Sequence, residues 1–130
     1  MKFNSQICTT KEQSERLLAL GLKKETADCV MMYYDGWHIG EAEHFDFDKD
    51  PVEPAWSLHR LMCLCPTDID RHKYVFYVSH DYVHYHDMLT GYDDDELVGF
   101  FKDNPFDSLI DCIEWLIKEG YFNKEYLEEK

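Results

Sequence analysis

Residues 105–119 carry a stripe that has to be buried. Phe106, Leu109, Ile110, Ile113, Leu116 and Ile117 recur at helical spacing, with Asp107, Asp111, Glu114 and Lys118 on the opposite side. The ends of this segment are equally explicit: Asn104 suits an N-cap, Pro105 the first helical position and Gly120 a left-handed residue past the last turn. An amphipathic helix of this length draws most of its stability from what covers its apolar face, so the remaining chain must supply a second layer. Tyr121 and Phe122 are expected to fold back onto the same stripe.

The remaining chain offers hairpins. Cys29-Val30-Met31-Met32-Tyr33-Tyr34, then Asp35-Gly36, then Trp37-His38-Ile39 reads as one, because Asp-Gly tolerates the positive φ that both central positions of a tight turn need. A two-residue turn places Val30, Met32 and Tyr34 on one face with Trp37 and Ile39, and that face is predicted to be buried. A second hairpin runs from Tyr74 to Ser79 and from Tyr82 to Asp87, with His80-Asp81 at the turn. In that register Tyr74, Phe76 and Val78 align with Val83 and Tyr85 toward the core, while Tyr77, Tyr82, His84 and His86 face outward as exposed strand residues.

Two more helices complete the pattern. One opens at Thr9-Thr10, which precede Glu12 and Gln13 at capping-box spacing, runs through Leu17, Leu18 and Leu20, and stops at Gly21. The other spans residues 55–65, with Leu58, Leu61, Met62 and Cys65 at i, i+3, i+4 and i+7, Pro54 in its first turn and Pro66 beyond its end. Asp93-Asp94-Asp95-Glu96 suit a helix N-terminus and could open a short helix carrying Leu97, Val98, Phe100 and Phe101. The order helix–hairpin–helix–hairpin–helix predicts an α+β fold in a single domain, residues 1–130, with an antiparallel sheet covered on one face by helices.

Charge narrows the function classes. The 130 residues hold 13 Lys plus Arg against 27 Asp plus Glu, a net charge of −14, which repels phosphate and argues against direct nucleic-acid binding. Aromatic residues make up 15% of the chain, too many for a disordered acidic tail. The opening residues turn polar before an apolar run of signal-peptide length forms, and no run reaches the roughly 20 residues of a membrane span. Five cysteines, an odd number with no CxxC pair, suit reduced thiols and a cytoplasmic protein.

The acidity is concentrated in residues 35–54 and 80–104, each with a net charge of −6. Glu41, Glu43, Asp46, Asp48, Asp50, Asp93, Asp94, Asp95 and Glu96 are therefore the candidate binding surface. If both hairpins lay in one sheet, the two blocks could form a continuous acidic edge. Asp46-Phe47-Asp48-Lys49-Asp50 opens like a calcium loop, but Pro51 and Ser57 stand where an EF-hand needs Gly and Glu, so a loop of acids leading into a helix is the better reading. His84 and His86, two apart on a strand, are the weak candidates for metal ligands. Cys63 and Cys65 lie two apart on a helix, point to different sides and read as packing thiols, as do Cys29 and Cys112. No phosphate-cradling glycine loop, nucleophile elbow or H-E-x-x-H motif occurs, and no cofactor is implied.

Four separated runs, Ile7-Cys8-Thr9-Thr10-Lys11-Glu12-Gln13-Ser14, Thr26-Ala27-Asp28, Pro54-Ala55-Trp56-Ser57-Leu58-His59-Arg60-Leu61 and Ile113-Glu114-Trp115-Leu116-Ile117-Lys118-Glu119-Gly120-Tyr121, resemble a group of small acidic proteins of gut bacterial genomes. Members of that group are often carried on prophages or conjugative elements. The resemblance implies an accessory protein of a mobile element and brings no activity or site residues with it. Trp56 is expected to anchor the middle helix, and Trp115 to flank the closing one. The expected function is non-enzymatic binding of a protein with a basic surface. The alternatives are a DNA mimic that occupies a DNA-binding partner and a metal-dependent enzyme built on His84 and His86.

Overall fold

The computed structural model describes residues 5–80, 82–87 and 96–129. It is an α+β fold with three α-helices, α1 (Lys11–Ala19), α2 (Leu58–Leu64) and α3 (Pro105–Glu119). The strands form two antiparallel sheets rather than one. The first has three strands in the order β2 (Trp37–Glu41), β1 (Cys29–Tyr33), β3 (Glu53–Ala55). The second has four in the order β4 (Asp68–Ile69), β5 (Tyr74–Val78), β6 (Tyr82–Asp87), β7 (Glu96–Phe101). The chain divides into two compact units, Met1–Arg60 with Glu125–Lys130, and Leu61–Lys124, and the two hairpins fall in different units. The two hairpins of the described residues therefore do not share the one sheet that a continuous acidic edge would need.

In the first unit, Thr10 caps α1: its hydroxyl accepts the Gln13 N–H at 3.2 Å, and the Gln13 side chain accepts the Thr10 N–H at 3.0 Å. Gly21, at φ +103°, ends the helix as expected. Leu17, Val30, Ala55 and Trp56 are fully buried here. Residues 125–129 return to this unit, where the Lys23 N–H donates to Tyr126 O and the Glu128 N–H to Gly21 O.

The first hairpin differs from expectation by one residue. Tyr33 pairs with Trp37 and Met31 with Ile39, so the loop is the three residues Tyr34, Asp35 and Gly36. Asp35 and Gly36 both have positive φ, as the Asp-Gly signal requires, but a slip of one residue exchanges the faces. Trp37 and Ile39 are 54% and 49% exposed, with Tyr33 and Tyr34 also exposed, so of the face predicted to be buried only Val30 is buried and Met32 half-buried. Val30 and Met32 instead share the face of Gly40, where an added Cβ would sit 3.1 Å from Phe45 and 3.0 Å from the Met32 methyl.

The middle helix starts later than its apolar spacing suggests. Pro54 and Ala55 belong to β3, an edge strand where the missing proline N–H costs no ladder bond. Ser57 then caps α2, its hydroxyl accepting the Arg60 N–H at 3.1 Å. Trp56 does act as an anchor, but just ahead of the helix.

In the second unit α3 lies against β6 and β7 and buries Phe106, Leu109, Ile110, Ile113 and Leu116. The Asn104 side chain accepts the Phe106 N–H at 2.8 Å, and Gly120 takes φ +80°. Phe122 folds back and is buried, and Tyr121 stacks on Trp115, whose ring also meets Tyr85 and Phe100. The second hairpin keeps the expected register: Phe76 pairs with Tyr85 and Val78 with Val83. Residues 96–101, expected in a short helix, form β7, because alternating Val98 and Phe100 complete the face under α3.

Candidate functional site

The first unit holds a groove of about 630 Å³ between the segment leading into β1 and the turn that follows β2. Four carboxylates line it, those of Glu25, Asp28, Glu41 and Glu43, together with Arg60. Phe47, Ala27, Ala42 and Cys29 supply its apolar surface.

Each acid is positioned by local structure. Asp28 stands immediately before β1, where its carboxylate accepts the Ser57 N–H at 2.8 Å and the Ser57 hydroxyl at 2.5 Å. Its main-chain carbonyl accepts the Ala42 N–H at 3.0 Å, tying in the helical turn Ala42–His44 that Glu43 belongs to. Glu41 ends β2. Glu25 lies in the turn Lys24–Thr26, which is held from below: the Thr26 hydroxyl donates to Lys23 O at 2.7 Å and accepts the indole N–H of the buried Trp56 at 3.0 Å.

Of the expected acidic surface, Glu41 and Glu43 reach this groove. Asp46, Asp48 and Asp50 do not; they build their own turn. The Asp46 carboxylate accepts the Asp48 N–H at 2.8 Å, the Asp50 carboxylate accepts the Asp46 N–H at 2.7 Å, and Asp48 pairs with Lys24 at 2.8 Å. That contact holds the Lys24 ammonium above its usual range. The turn leads into β3 rather than directly into a helix. Asp93, Asp94 and Asp95 lie outside the described residues. Glu96 belongs to the second unit and is half-buried, accepting the Tyr82 hydroxyl and facing His84 Nδ1 at 3.4 Å, so it is not part of an open acidic surface. Glu25 and Asp28 were missed because they sit in a stretch of nearly balanced charge; the one pointer was the run Thr26-Ala27-Asp28 leading into a strand.

The thiol beside the groove is shifted toward its protonated form. Burial, reinforced by the neighbouring Asp28 carboxylate, pushes Cys29 up to about 11 and raises Cys8 as well. Cys65 is held protonated by its hydrogen bond with Cys112 and by burial, consistent with packing thiols, while Cys63 on the same helix is exposed. Glu41, Glu43 and His44 bring ligand atoms within 4.8 Å of one another. All three are exposed, and His44 Nε2 stands 3.4 Å from Glu41 and 3.7 Å from Glu43, a surface His–carboxylate arrangement.

His84 and His86 share one face of β6, as expected, but not as exposed residues: His86 is 6% exposed and the His84 side chain 14%. Among the described residues no helix is long and apolar enough to cross a membrane. Set against family models, curated proteins and solved structures, the chain finds no match in any of the three comparisons.

Proposed function

We propose that the protein is a non-enzymatic binding module, and that its first unit takes a Lys- or Arg-bearing segment of a partner protein into the groove between Glu25, Asp28, Glu41 and Glu43. The observation that carries this reading is the concave placement of four carboxylates around an apolar surface formed by Phe47, Ala27 and Ala42. A long cationic side chain needs both: carboxylates for its head and apolar surface for its methylene stem. A negative groove on a protein of net charge −14 also raises the local concentration of cationic partners. The resemblance to small acidic proteins of mobile elements fits an accessory role of this kind, in the cytoplasm, on a basic protein of the host or the element.

The test is binding of a fluorescent Lys/Arg-rich peptide by anisotropy at low and high salt. Binding that falls at least tenfold from about 50 to 500 mM salt, and about tenfold in Glu41→Gln/Glu43→Gln, supports the groove; screening shortens from roughly 14 to 4 Å over that range. Asp46→Asn, in the self-contained turn, should leave binding unchanged. No binding at low salt, or equal loss in Asp46→Asn, overturns the reading.

A further inference from the structure

The sheet of the first unit ends in an open edge. Among the described residues β2 has a neighbouring strand on one side only, and along Trp37-His38-Ile39-Gly40-Glu41 every residue but Gly40 is exposed. Which of its main-chain groups face outward follows from Pro54. Val30 pairs with Pro54, which has no N–H, so that pair cannot exchange hydrogen bonds; the flanking pairs Cys29–Ala55 and Met31–Glu53 do so instead. Val30 and Met32 therefore turn their main-chain groups the other way, toward Gly40 and His38 of β2. The Ala42 N–H, which donates to Asp28 O just beyond the strand, continues the same alternation. The N–H and C=O groups left for the free edge are those of Trp37, Ile39 and Glu41.

Sheet edges are usually blunted by a lysine, a proline or a bulge. β2 contains neither residue, and its pairing with β1 runs without a bulge. The side chains of Trp37, Ile39 and Glu41 stand on one face, paired in turn with Tyr33, Met31 and Cys29. Tyr33, Trp37 and Ile39 are all exposed, and the Tyr33 and Trp37 rings meet edge-on at 5.3 Å between centroids. Adjacent exposed apolar groups of this size mark an interaction surface rather than ordinary scatter. The row runs directly to the Cys29–Glu41 pair, and both of those residues line the acidic groove. Open edge, apolar row and carboxylates thus form one path.

We infer that the cationic segment held by the groove binds as an added strand, antiparallel to β2, with its Lys or Arg paired with Glu41. Its residues two and four positions later pair with Ile39 and Trp37 on the same face and are apolar. Main-chain bonds to Trp37, Ile39 and Glu41 supply affinity, while the apolar row and the carboxylates select the sequence. Antiparallel pairing continues the direction that β1, β2 and β3 already follow. A second copy of the chain offers the same edge, but a net charge of −14 on each copy opposes that pairing and favours a cationic strand. This inference rests on the groove taking a cationic segment and adds how the segment is held.

The experiment uses the full chain and fluorescein-labelled Thr-Lys-Thr-Val-Thr-Ile-Thr, read by anisotropy at about 50 mM salt. N-methylation of the valine, whose N–H donates to Ile39 O in this register, should weaken binding at least tenfold. N-methylation of the threonine just before it, whose N–H points away from β2, should change binding less than twofold. Moving the lysine one place toward the C-terminus puts it on the opposite face and should cost about fivefold. In the protein, Trp37→Ala should cost about fivefold. Ile39→Pro removes an outward N–H that the sheet does not use and should weaken binding at least tenfold; if that variant does not fold, the methylated peptides decide. Binding that depends on Glu41 and Glu43 but ignores the valine N-methyl group and the lysine position overturns strand addition and leaves the groove reading standing. The same holds if this peptide fails to bind where a Lys/Arg-rich one does. Binding unchanged in Glu41→Gln/Glu43→Gln overturns the groove reading and, with it, the pairing proposed here. A chain that sediments as a dimer, and as a monomer in Ile39→Pro, gives the edge to a second copy and overturns the proposal.

Discussion

Thr9 is the most demanding polar residue in the first unit, and its replacement by valine is the sharpest test of how that unit is held. It is 1% exposed, and its hydroxyl serves two partners: it accepts the Trp56 N–H at 3.0 Å and shares a hydrogen bond of 2.7 Å with the Ser14 hydroxyl. Its backbone N–H donates to Trp56 O at 2.9 Å, a bond that valine keeps. Valine is nearly isosteric, so packing changes little and the effect isolates the hydroxyl. Two buried polar groups lose a partner, at about 1–3 kcal/mol for each left unsatisfied. Ser14 can recover part of its share by turning its hydroxyl toward a carbonyl on its own helix. The expected destabilisation is therefore about 3 kcal/mol, dominated by the Trp56 N–H, which cannot move.

For a chain of 130 residues the unfolding entropy near the midpoint is about 0.27 kcal/mol/K, so about 3 kcal/mol lowers the midpoint by roughly 11 °C. Urea unfolding followed by tryptophan fluorescence gives the free energy, and a double-mutant cycle with Ser14→Ala separates the two partners. The cycle should be non-additive by about 1 kcal/mol, because the double variant leaves no orphaned Ser14 hydroxyl. Thr9→Ser, which keeps the oxygen, should lose only about 1 kcal/mol for the missing methyl group. A loss below about 1 kcal/mol in Thr9→Val, or an additive cycle, would refute the network.

Three other outcomes are expected. Alkylation of Cys29 by iodoacetamide, read by peptide mass spectrometry, should be slow at pH 8 and climb about tenfold per pH unit toward about 11, where its thiol titrates. Because that value lies above the roughly 8.5 of an unfolded cysteine, the associated stability is complete below pH 8.5 and is lost as pH rises toward 11; an alkylation plateau below pH 9 would contradict this. Arg71 sits at φ +58° between Asp70 and His72, which are also left-handed, so Arg71→Gly should raise the thermal midpoint by the equivalent of about 0.5–1 kcal/mol, and a lower midpoint would remove strain as the account. Gly40→Ala should lower the urea midpoint by the equivalent of about 1 kcal/mol, since its Cβ would press on Phe45 at 3.1 Å and Val30 at 3.3 Å, and an unchanged midpoint would mean that this face is loosely packed.

How much of this was legible depends on how far away the deciding partner lies. The ends of α3 and the start of α1 are set by residues within four positions, Asn104 on Phe106 and Thr10 on Gln13, so the sequence alone located them. The first hairpin was not settled this way, because residues 29–34 are apolar at both parities and either face could go inward. Gly40 breaks the tie: paired with Val30 and flanked by Met32 and Phe45, it leaves room that a side chain would fill. The same holds for β7. Its acidic start read as a helix N-terminus, and only pairing with β6 reveals the bulge that brings Glu96 beside the histidines.

The candidate acids separate for a related reason. The net charge of a segment counts carboxylates, whereas a binding surface needs those left over after the loops have been built. Asp46 and Asp50 are used by backbone N–H groups of their own turn, and Asp48 by Lys24. Glu41 and Glu43 come at the end of a strand and the turn beyond it, where the backbone is already paired by β1 and by Asp28. Their carboxylates are not taken up by backbone N–H groups and line the groove, where Glu25 and Asp28, the latter also held by Ser57, join them from a stretch whose net charge gave no sign of it. Spacing along the chain carries the same information in miniature. Alternate acids at 46, 48 and 50 fall within reach of one another's amides, as Asx turns require, while Glu reaches a main-chain donor of its own turn less readily than Asp. Exchanging the two types should release carboxylates from the backbone: Asp46→Glu is expected to lose the hydrogen bond to the Asp48 N–H and loosen the turn, read as faster amide hydrogen exchange at Asp48.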